Sequence, residues 1–320
     1  MTMQVSVVIG TYNRADLLKG TLEALASQDV PGDLMWEIVV VDNNSHDATA
    51  QVVAAFSKTT ATAVRYVFEP HQGLSHARNR GIKEARGSII AFTDDDVLPA
   101  SDWIAQIAVA IHRWGAHCVG GRILPRWETR PPRWLTDSQR LLSLLSIMDC
   151  EASRLVNLPL EARPQVWGAN MAFRREVFER VGGFDVRRGI VGRKLFRGEE
   201  TDLIIRALEQ DLRIAYDATL TVFHRVGPDR MRKPYFRRLM FDDGQVDSRT
   251  SSRDYGRWFL GAPLWSYRAA LRDSWKLADS VLLRRRERFE QQLAWLFSAG
   301  RLFGFWRLGL RRQFHRRDNV

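Results

Sequence analysis

An apolar run, Ile89 to Phe92, ends in three consecutive acids, Asp94, Asp95 and Asp96, within the stretch GSIIAFTDDDVLPA. Adjacent carboxylates repel one another and stay ionised together only where a cation offsets them. In an extended segment Asp94 and Asp96 fall on one side, at i and i+2. Such oxygen donors suit a hard divalent ion, Mg²⁺ or Mn²⁺, completed by water and substrate phosphates. The competing reading is an acidic surface turn. Four other sets carry chemistry-bearing residue types: Thr11 to Arg14 after VSVVIG, Asp42 after IVVV, Ser75 to Asn79 within GLSHARNRGI, and Glu199, Glu200 and Asp202 within GEETDL. His224 closes the run TLTVFHR. Singly, each has a plain structural reading: a turn former, a solvated helix face, acids facing a helix dipole, a core histidine.

The elements around these residues give them a common place. VSVVIGTY and WEIVVVD read as buried strands, AVRYVFEP as a third stopped by Pro70, and SIIAFTDDD as a fourth. Between them, helices begin near Asn13 or Asp16, at DATAQVVAAF and at SHARNRGIKEAR. Strand and helix in alternation mean βαβ units and a mostly parallel sheet. Ligands of such sheets sit at the carboxyl ends of the strands, so Thr11–Arg14, Asp42 and Asp94–Asp96 are predicted to share one rim. Further on, WIAQIAVAIHRW and GEETDLIIRALEQD read as helices, HCVGGRILP and RIAYDATLTVFHR as strands, and residues 126–165 as loops and short helices.

The chain has 320 residues and a formal net charge of +11. Residues 1–230 hold 28 basic and 28 acidic side chains, whereas residues 231–320 hold 20 and 9, so the whole surplus lies in the last 90 residues. The chain therefore divides into a neutral body and a basic tail. Cys118 and Cys150 form no metal spacing or disulfide framework, which points to a reducing compartment. The start, MTMQVSVVIGTYNR, reads as a strand rather than a secretory signal. No uncharged apolar run reaches the ~18 residues of a membrane span. In the tail, Phe289, Leu293, Leu296 and Phe297 recur at helical spacing between arginine clusters and tryptophans, the pattern of a helix lying in a membrane interface. The alternative is helices packed with a solvated arginine face.

Seven stretches, VSVVIGTYNR, EIVVVDNNSHD, GLSHARNRGI, IIAFTDDDV, WGANMAFRREVFERVGGFD, GEETDLIIRAL and FHRV, together resemble the family-2 inverting glycosyltransferases, over roughly Val5 to Val226. The resemblance implies the A-type glycosyltransferase fold: a Rossmann-like, mostly parallel sheet flanked by helices, here with a C-terminal helical basic extension. It implies a catalytic domain over 1–230, with a nucleotide-sugar half (1–98) and an acceptor half (99–230), ahead of the basic tail that the charge count marks over 231–320. It also implies roles. Thr11, Tyr12, Asn13, Arg14, Asp42, Arg78, Asp94 and Asp95 would bind the nucleotide sugar. Asp94, Asp96 and His224 would bind Mg²⁺ or Mn²⁺, and Trp167 and Asn170 would lie on the acceptor side. The family's usual base is Asp; Glu200 stands at that position, with Asp202 the competing candidate.

The expected activity is inverting transfer from a nucleotide sugar, expected to be UDP-linked, to an acceptor hydroxyl on a lipid-linked or cell-surface glycan. The expected setting is cytoplasmic, peripheral on the inner membrane face through the tail, with no nucleic acid as partner. A sugar-phosphate nucleotidyltransferase would need a basic phosphate loop after the first strand, which GTYNRADLLKG matches poorly. A non-catalytic membrane- or nucleic-acid-binding protein would leave the strand-end acids idle.

Overall fold

The computed structural model describes residues 3–157, 166–187, 198–250, 257–285 and 287–317, without the side chains of 249, 250 and 308–317. It divides into two compact units, the first formed by residues 1–192 and 198–228, the second by 193–197 and 229–320.

The first unit opens as the sequence pattern predicts. Strands β1 (Val5–Thr11), β2 (Trp36–Asp42), β3 (Ala63–Phe68) and β4 (Ile89–Asp94) alternate with helices α1 (Ala15–Ala26), α2 (Thr49–Ser57) and α3 (Leu74–Glu84). There follow β5 (Val97–Pro99), α4 (Trp103–Trp114), β6 (Cys118–Trp127), the short helices α5 (Arg133–Thr136) and α6 (Gln139–Leu144), β7 (Arg154–Val156), β8 (Met171–Arg174), α7 (Arg175–Val181), α8 (Glu199–Leu208) and β9 (Ile214–Val226). One nine-stranded sheet runs β3-β2-β1-β4-β8-β6-β9-β5, with β7 beside β9. Strands β1 to β4 pair in parallel, while β8 runs antiparallel to both β4 and β6.

The continuous Val and Ile runs of β1 and β2 are fully buried, as strands covered on both faces must be. Helix α3 lies close on β1 because Gly81 has no side chain: a Cβ there would sit 2.2 Å from a Val8 methyl. Register then lines up the rim. Thr11 is opposite Asp42 across β1 and β2, and Gly10 is opposite Asp94 across β1 and β4. On the far side of the sheet, antiparallel pairing of β5 with β9 sets Val97 opposite His224. That register brings His224 beside Asp96.

The second unit is helical. Helices α9 (Lys233–Thr250), α10 (Leu264–Leu282) and α11 (Arg288–Arg317) surround a two-residue hairpin, β10 (Trp258–Phe259) and β11 (Ala262–Pro263). Helices α9 and α11 meet almost backbone to backbone. A Cβ at Gly300 would lie 2.1 Å from the Phe241 carbonyl oxygen, and one at Gly244 2.1 Å from that of Phe297. Leu293 is fully buried in this unit, and Phe289 packs edge-on to Phe236. Leu296 and Phe297 are half-buried. The apolar stripe assigned from sequence to a membrane interface is thus turned largely into helix packing. The arginines of 311–317 lie outside the described side chains.

Candidate active site

Three consecutive carboxylates close β4, and each finds a different partner. The chain leaves extended geometry after Asp94 and turns through Asp95 and Asp96 into β5, so Asp94 and Asp96 are not simple alternating neighbours on a strand. Asp95 is buried, accepts from Thr11 Oγ1 (2.8 Å) and pairs with Arg14 (2.7 Å). Its backbone carbonyl accepts from Thr21 Oγ1 (2.9 Å). Burial pushes its carboxyl up to about 6, with Arg14 pulling down and Asp96 pushing further up. Asp96, also buried, pairs with Arg14 (3.1 Å) and meets His224 Nε2 at 3.3 Å. The other ring nitrogen of His224 bonds the Leu145 carbonyl at 2.9 Å. Asp94 is the more open acid of the three and faces Arg78 (3.4 Å).

Asp42, at the end of β2, is engaged by its own fold. Tyr66 Oη donates to Oδ2 (2.7 Å), and the Ser45 N–H donates to Oδ1 (2.8 Å). Burial and this bond push the Tyr66 phenol up to about 12, so the hydroxyl stays a donor. Across from Asp42, Asn13 takes a left-handed backbone (φ 52°) and exchanges bonds with the following loop: its N–H donates to Ser45 Oγ and its Oδ1 accepts from the His46 N–H. The turn after β1 and the loop after β2 are thereby tied together. Tyr12, between them, is half-buried.

Arg78 is a hub that sequence alone did not reveal. It is buried, donates to Glu199 (2.8 Å) and stacks over Phe184, with its guanidinium 5.4 Å from the ring centre. Gly168 makes room for it, since a Cβ there would come within 2.3 Å of Nη2. The next residue, Asn79, locks the Gly182-Gly183 turn. Its Nδ2 donates to the Phe184 carbonyl and its Oδ1 accepts from the Phe184 N–H, both at 2.8 Å. Gly182 has φ 76° and a Cβ on Gly183 would strike Asn79. The motifs ARN, GAN, GGFD and GEE are therefore one interlocked assembly around Arg78.

At the start of α8, Glu199 is buried and Glu200 half-buried; the Oε2 atoms of both are enclosed without a hydrogen-bond partner. Burial and then Glu200 push the Glu199 carboxyl up to about 8, with Arg78 pulling down. One guanidinium facing Glu199, Asp94 and Glu200 cannot neutralise three carboxylates, so Glu199 retains a proton. Asp202 instead forms an i,i+4 pair with Arg206 (3.0 Å), which also bonds the Val181 and Gly183 carbonyls. Asn170, expected toward the acceptor, turns inward. Its Nδ2 donates to the Arg122 and Leu220 carbonyls and its Oδ1 accepts from Trp103 Nε1. Every polar position of that side chain is consumed by the fold. Trp167 is half-buried against the core.

Of the three residues expected to hold a divalent cation, only Asp96 and His224 meet directly; Asp94 faces Arg78, and the three ligand atoms do not lie within 4.8 Å of one another.

Comparison with known proteins accords with this geometry. The family model described as Glycosyl transferase family 2 matches residues 6–182. The glucosyl-dolichyl phosphate glucuronosyltransferase of Haloferax volcanii is 28% identical over 229 residues, covering 70% of each chain. The succinoglycan biosynthesis protein ExoM of Rhizobium meliloti is 25% identical over 252 residues, 78% of this chain and 75% of that one. Among solved structures, the mannosyltransferase PcManGT of Pyrobaculum calidifontis, in complex with GDP-Man and Mn²⁺, aligns with a TM-score of 0.62 at 21% identity, over 96% of this chain and 88% of that one. Staphylococcus aureus TarS 1-349 with UDP aligns at 0.53 and 16% identity, over 93% and 90%. These two likenesses concern the fold.

Proposed function

The chain belongs to glycosyl transferase family 2, and on that premise we propose that it transfers a sugar from a nucleoside diphosphate sugar to an acceptor hydroxyl with inversion. The observation that carries the reading is the unpartnered, enclosed Oε2 of Glu200, at the rigid start of α8 and next to the Arg78 hub that also holds Asp94. A buried carboxylate oxygen left without a donor costs stability, about 1–3 kcal/mol. A base that must collect a substrate proton accounts for keeping it so.

In this reading the donor's nucleotide lies across the ends of β1, β2 and β4. Asp42, oriented by Tyr66 and Ser45, accepts from the base or ribose. The Thr11–Arg14 turn walls the pocket. Arg14 belongs to the Asp95–Asp96 pairing and turns toward phosphate oxygens when they arrive. Asp94, Asp96 and His224 would hold Mg²⁺ or Mn²⁺. When bound, the ion offsets the charge on the departing diphosphate. Glu200 takes the proton of the acceptor hydroxyl, whose oxygen attacks the anomeric carbon as its bond to the diphosphate breaks. One displacement at that carbon inverts it. Arg78 and Glu199 keep Glu200 in position; Asp202, tied to Arg206, steadies the helix.

The acceptor in this reading is a lipid-linked or polysaccharide glycan at a membrane surface, reached through the second unit. Its support is the outward face of α10. Leu271, Trp275 and Leu282 are 71%, 78% and 81% exposed. With Ala278 they fall within about 60° of arc on an ideal helix. Exposed Arg268, Arg272 and Lys276 run beside them. Apolar residues flanked by cations match an anionic lipid surface; a second copy of this basic unit would bring like charges together. Among the described residues, no helix is long and apolar enough to cross a membrane.

The test is a donor screen monitoring nucleoside diphosphate release, with and without Mg²⁺ or Mn²⁺, on wild type and Glu200→Gln. Release that depends on acceptor and fails in the variant supports the reading. Pyrophosphate release, or equal turnover by Glu200→Gln, overturns it.

A further inference from the structure

Away from the acids of β4, a second group of side chains converges on one point. The segment joining β3 to α3 and the first turn of that helix bring together Glu69, His71 and His76, whose carboxylate oxygen and imidazole nitrogens all lie within 4.8 Å of one another. The two imidazoles stack, with centroids 5.5 Å apart and planes 25° from parallel. Among the described residues, no other group of three or more His, Cys, Asp or Glu side chains meets that spacing.

The backbone beneath the cluster is held firmly. Asn43 Nδ2 donates to the carbonyls of Glu69 (3.3 Å) and His71 (2.7 Å), and Asn43 Oδ1 accepts from the Gly73 N–H (2.6 Å). The Glu69 N–H donates to the Asp42 carbonyl (2.9 Å). Glu69 also accepts from the His71 N–H (2.8 Å) and lies 2.9 Å from His71 Nδ1. The His71 side chain is 75% exposed.

We propose that Glu69, His71 and His76 bind a borderline divalent ion of the zinc class, in a site separate from the hard-cation acids at Asp94 and Asp96. Two nitrogens and one carboxylate oxygen form the donor set such ions select, whereas Mg²⁺ selects oxygen and water. Three protein ligands leave a fourth position for water. Tetrahedral bonds of about 2.0–2.1 Å bring ligand atoms to about 3.3 Å from one another, so the cluster closes by roughly an ångström through side-chain rotation. The His71–Glu69 hydrogen bond is exchanged for two metal bonds, and any proton on an imidazole is released to solvent. The bound ion ties the end of β3 to the first turn of α3, the helix that carries Arg78. The competing reading is a His71–Glu69 ion pair that staples the loop without metal.

The experiment uses the full chain without a histidine tag, stripped with chelator and titrated with Co²⁺. One equivalent is expected to give the visible absorption of four-coordinate cobalt, which Zn²⁺ then bleaches. Zn²⁺ is also expected to raise Tm, because it binds only the folded chain. His71→Ala and His76→Ala should remove both signals while leaving the metal-free Tm and circular dichroism unchanged. Asp96→Ala should retain them. Absence of the cobalt spectrum in wild type, its survival in the His71→Ala/His76→Ala double variant, or its loss in Asp96→Ala would each overturn the proposal. Should the single variants unfold, His76→Gln gives the same reading at closer volume.

Discussion

On the strand-end rim Arg14 and Arg78 are drawn in against carboxylates, with Asp95, Asp96 and Glu199 buried. On α10 the arrangement is inverted: Trp275 and Leu282 stand in solvent and the cations beside them are exposed. Buried ion pairs contribute little net stability, because desolvation offsets their attraction. Exposed large apolar side chains contribute none at all. Neither region is therefore accounted for by folding alone. In the function proposed above, the difference lies in what each would meet, a small polyanion in the first case and an extended anionic surface in the second.

The sharpest way to break this comparison is at the rim. Glu200→Gln should reduce transfer by about 10²–10⁴-fold, the usual scale for a general base, while donor affinity measured by calorimetry and Tm stay near wild type. A fall in Tm with transfer intact would make Glu200 structural. In the second unit the largest effect is expected at Gly300→Ala. In a solvated helix that change stabilises by about 1 kcal/mol. Here the new Cβ meets the Phe241 carbonyl oxygen, so we expect destabilisation of about 1–3 kcal/mol, read as a shift in the denaturation midpoint. Stabilisation instead would mean that α9 and α11 are not in backbone contact.

Trp275→Ser with Leu282→Ser should weaken sedimentation with anionic liposomes by roughly tenfold or more, since each side chain gives up about 1.5–3 kcal/mol of burial. Turnover on a soluble acceptor analogue should be unaffected. Binding that is unchanged in the double variant would separate α10 from any membrane role. A smaller effect follows from protons. The folded chain holds a proton on Glu199 up to about pH 8, where the unfolded chain has already lost it. Stability should therefore fall as pH rises from the ordinary carboxyl range toward about 8, and Glu199→Gln should flatten that part of the Tm profile. A wild-type Tm that rises through this window would mean that Arg78 alone governs the pair. Smallest of all, Asp202→Asn removes one partly exposed i,i+4 pair. It should cost about 0.3–0.5 kcal/mol and leave transfer within a few-fold of wild type; a 10²-fold loss would move the base to Asp202.

Much of this molecule is legible in its residues alone. The Val and Ile runs specify buried parallel strands, because only strands covered on both faces tolerate them, and strand polarity alone puts Asp42 and Asp94–Asp96 on one rim. The charge count by itself separates a neutral body from a basic tail. What the sequence could not decide was which polar side chains are used up inside the fold. Asn170 and Asp202 have the right residue types and motif positions, yet the first is consumed by two carbonyls and an indole and the second by Arg206. Glu199 and Arg78, 121 residues apart, meet only because α3 and α8 converge. Likewise the stripe at Phe289 to Phe297 has the spacing of a membrane face, but Gly244 and Gly300 let α9 approach and cover it. Helical spacing tells which residues share a face. What that face packs against depends on contacts distant in the chain, which only the tertiary structure supplies.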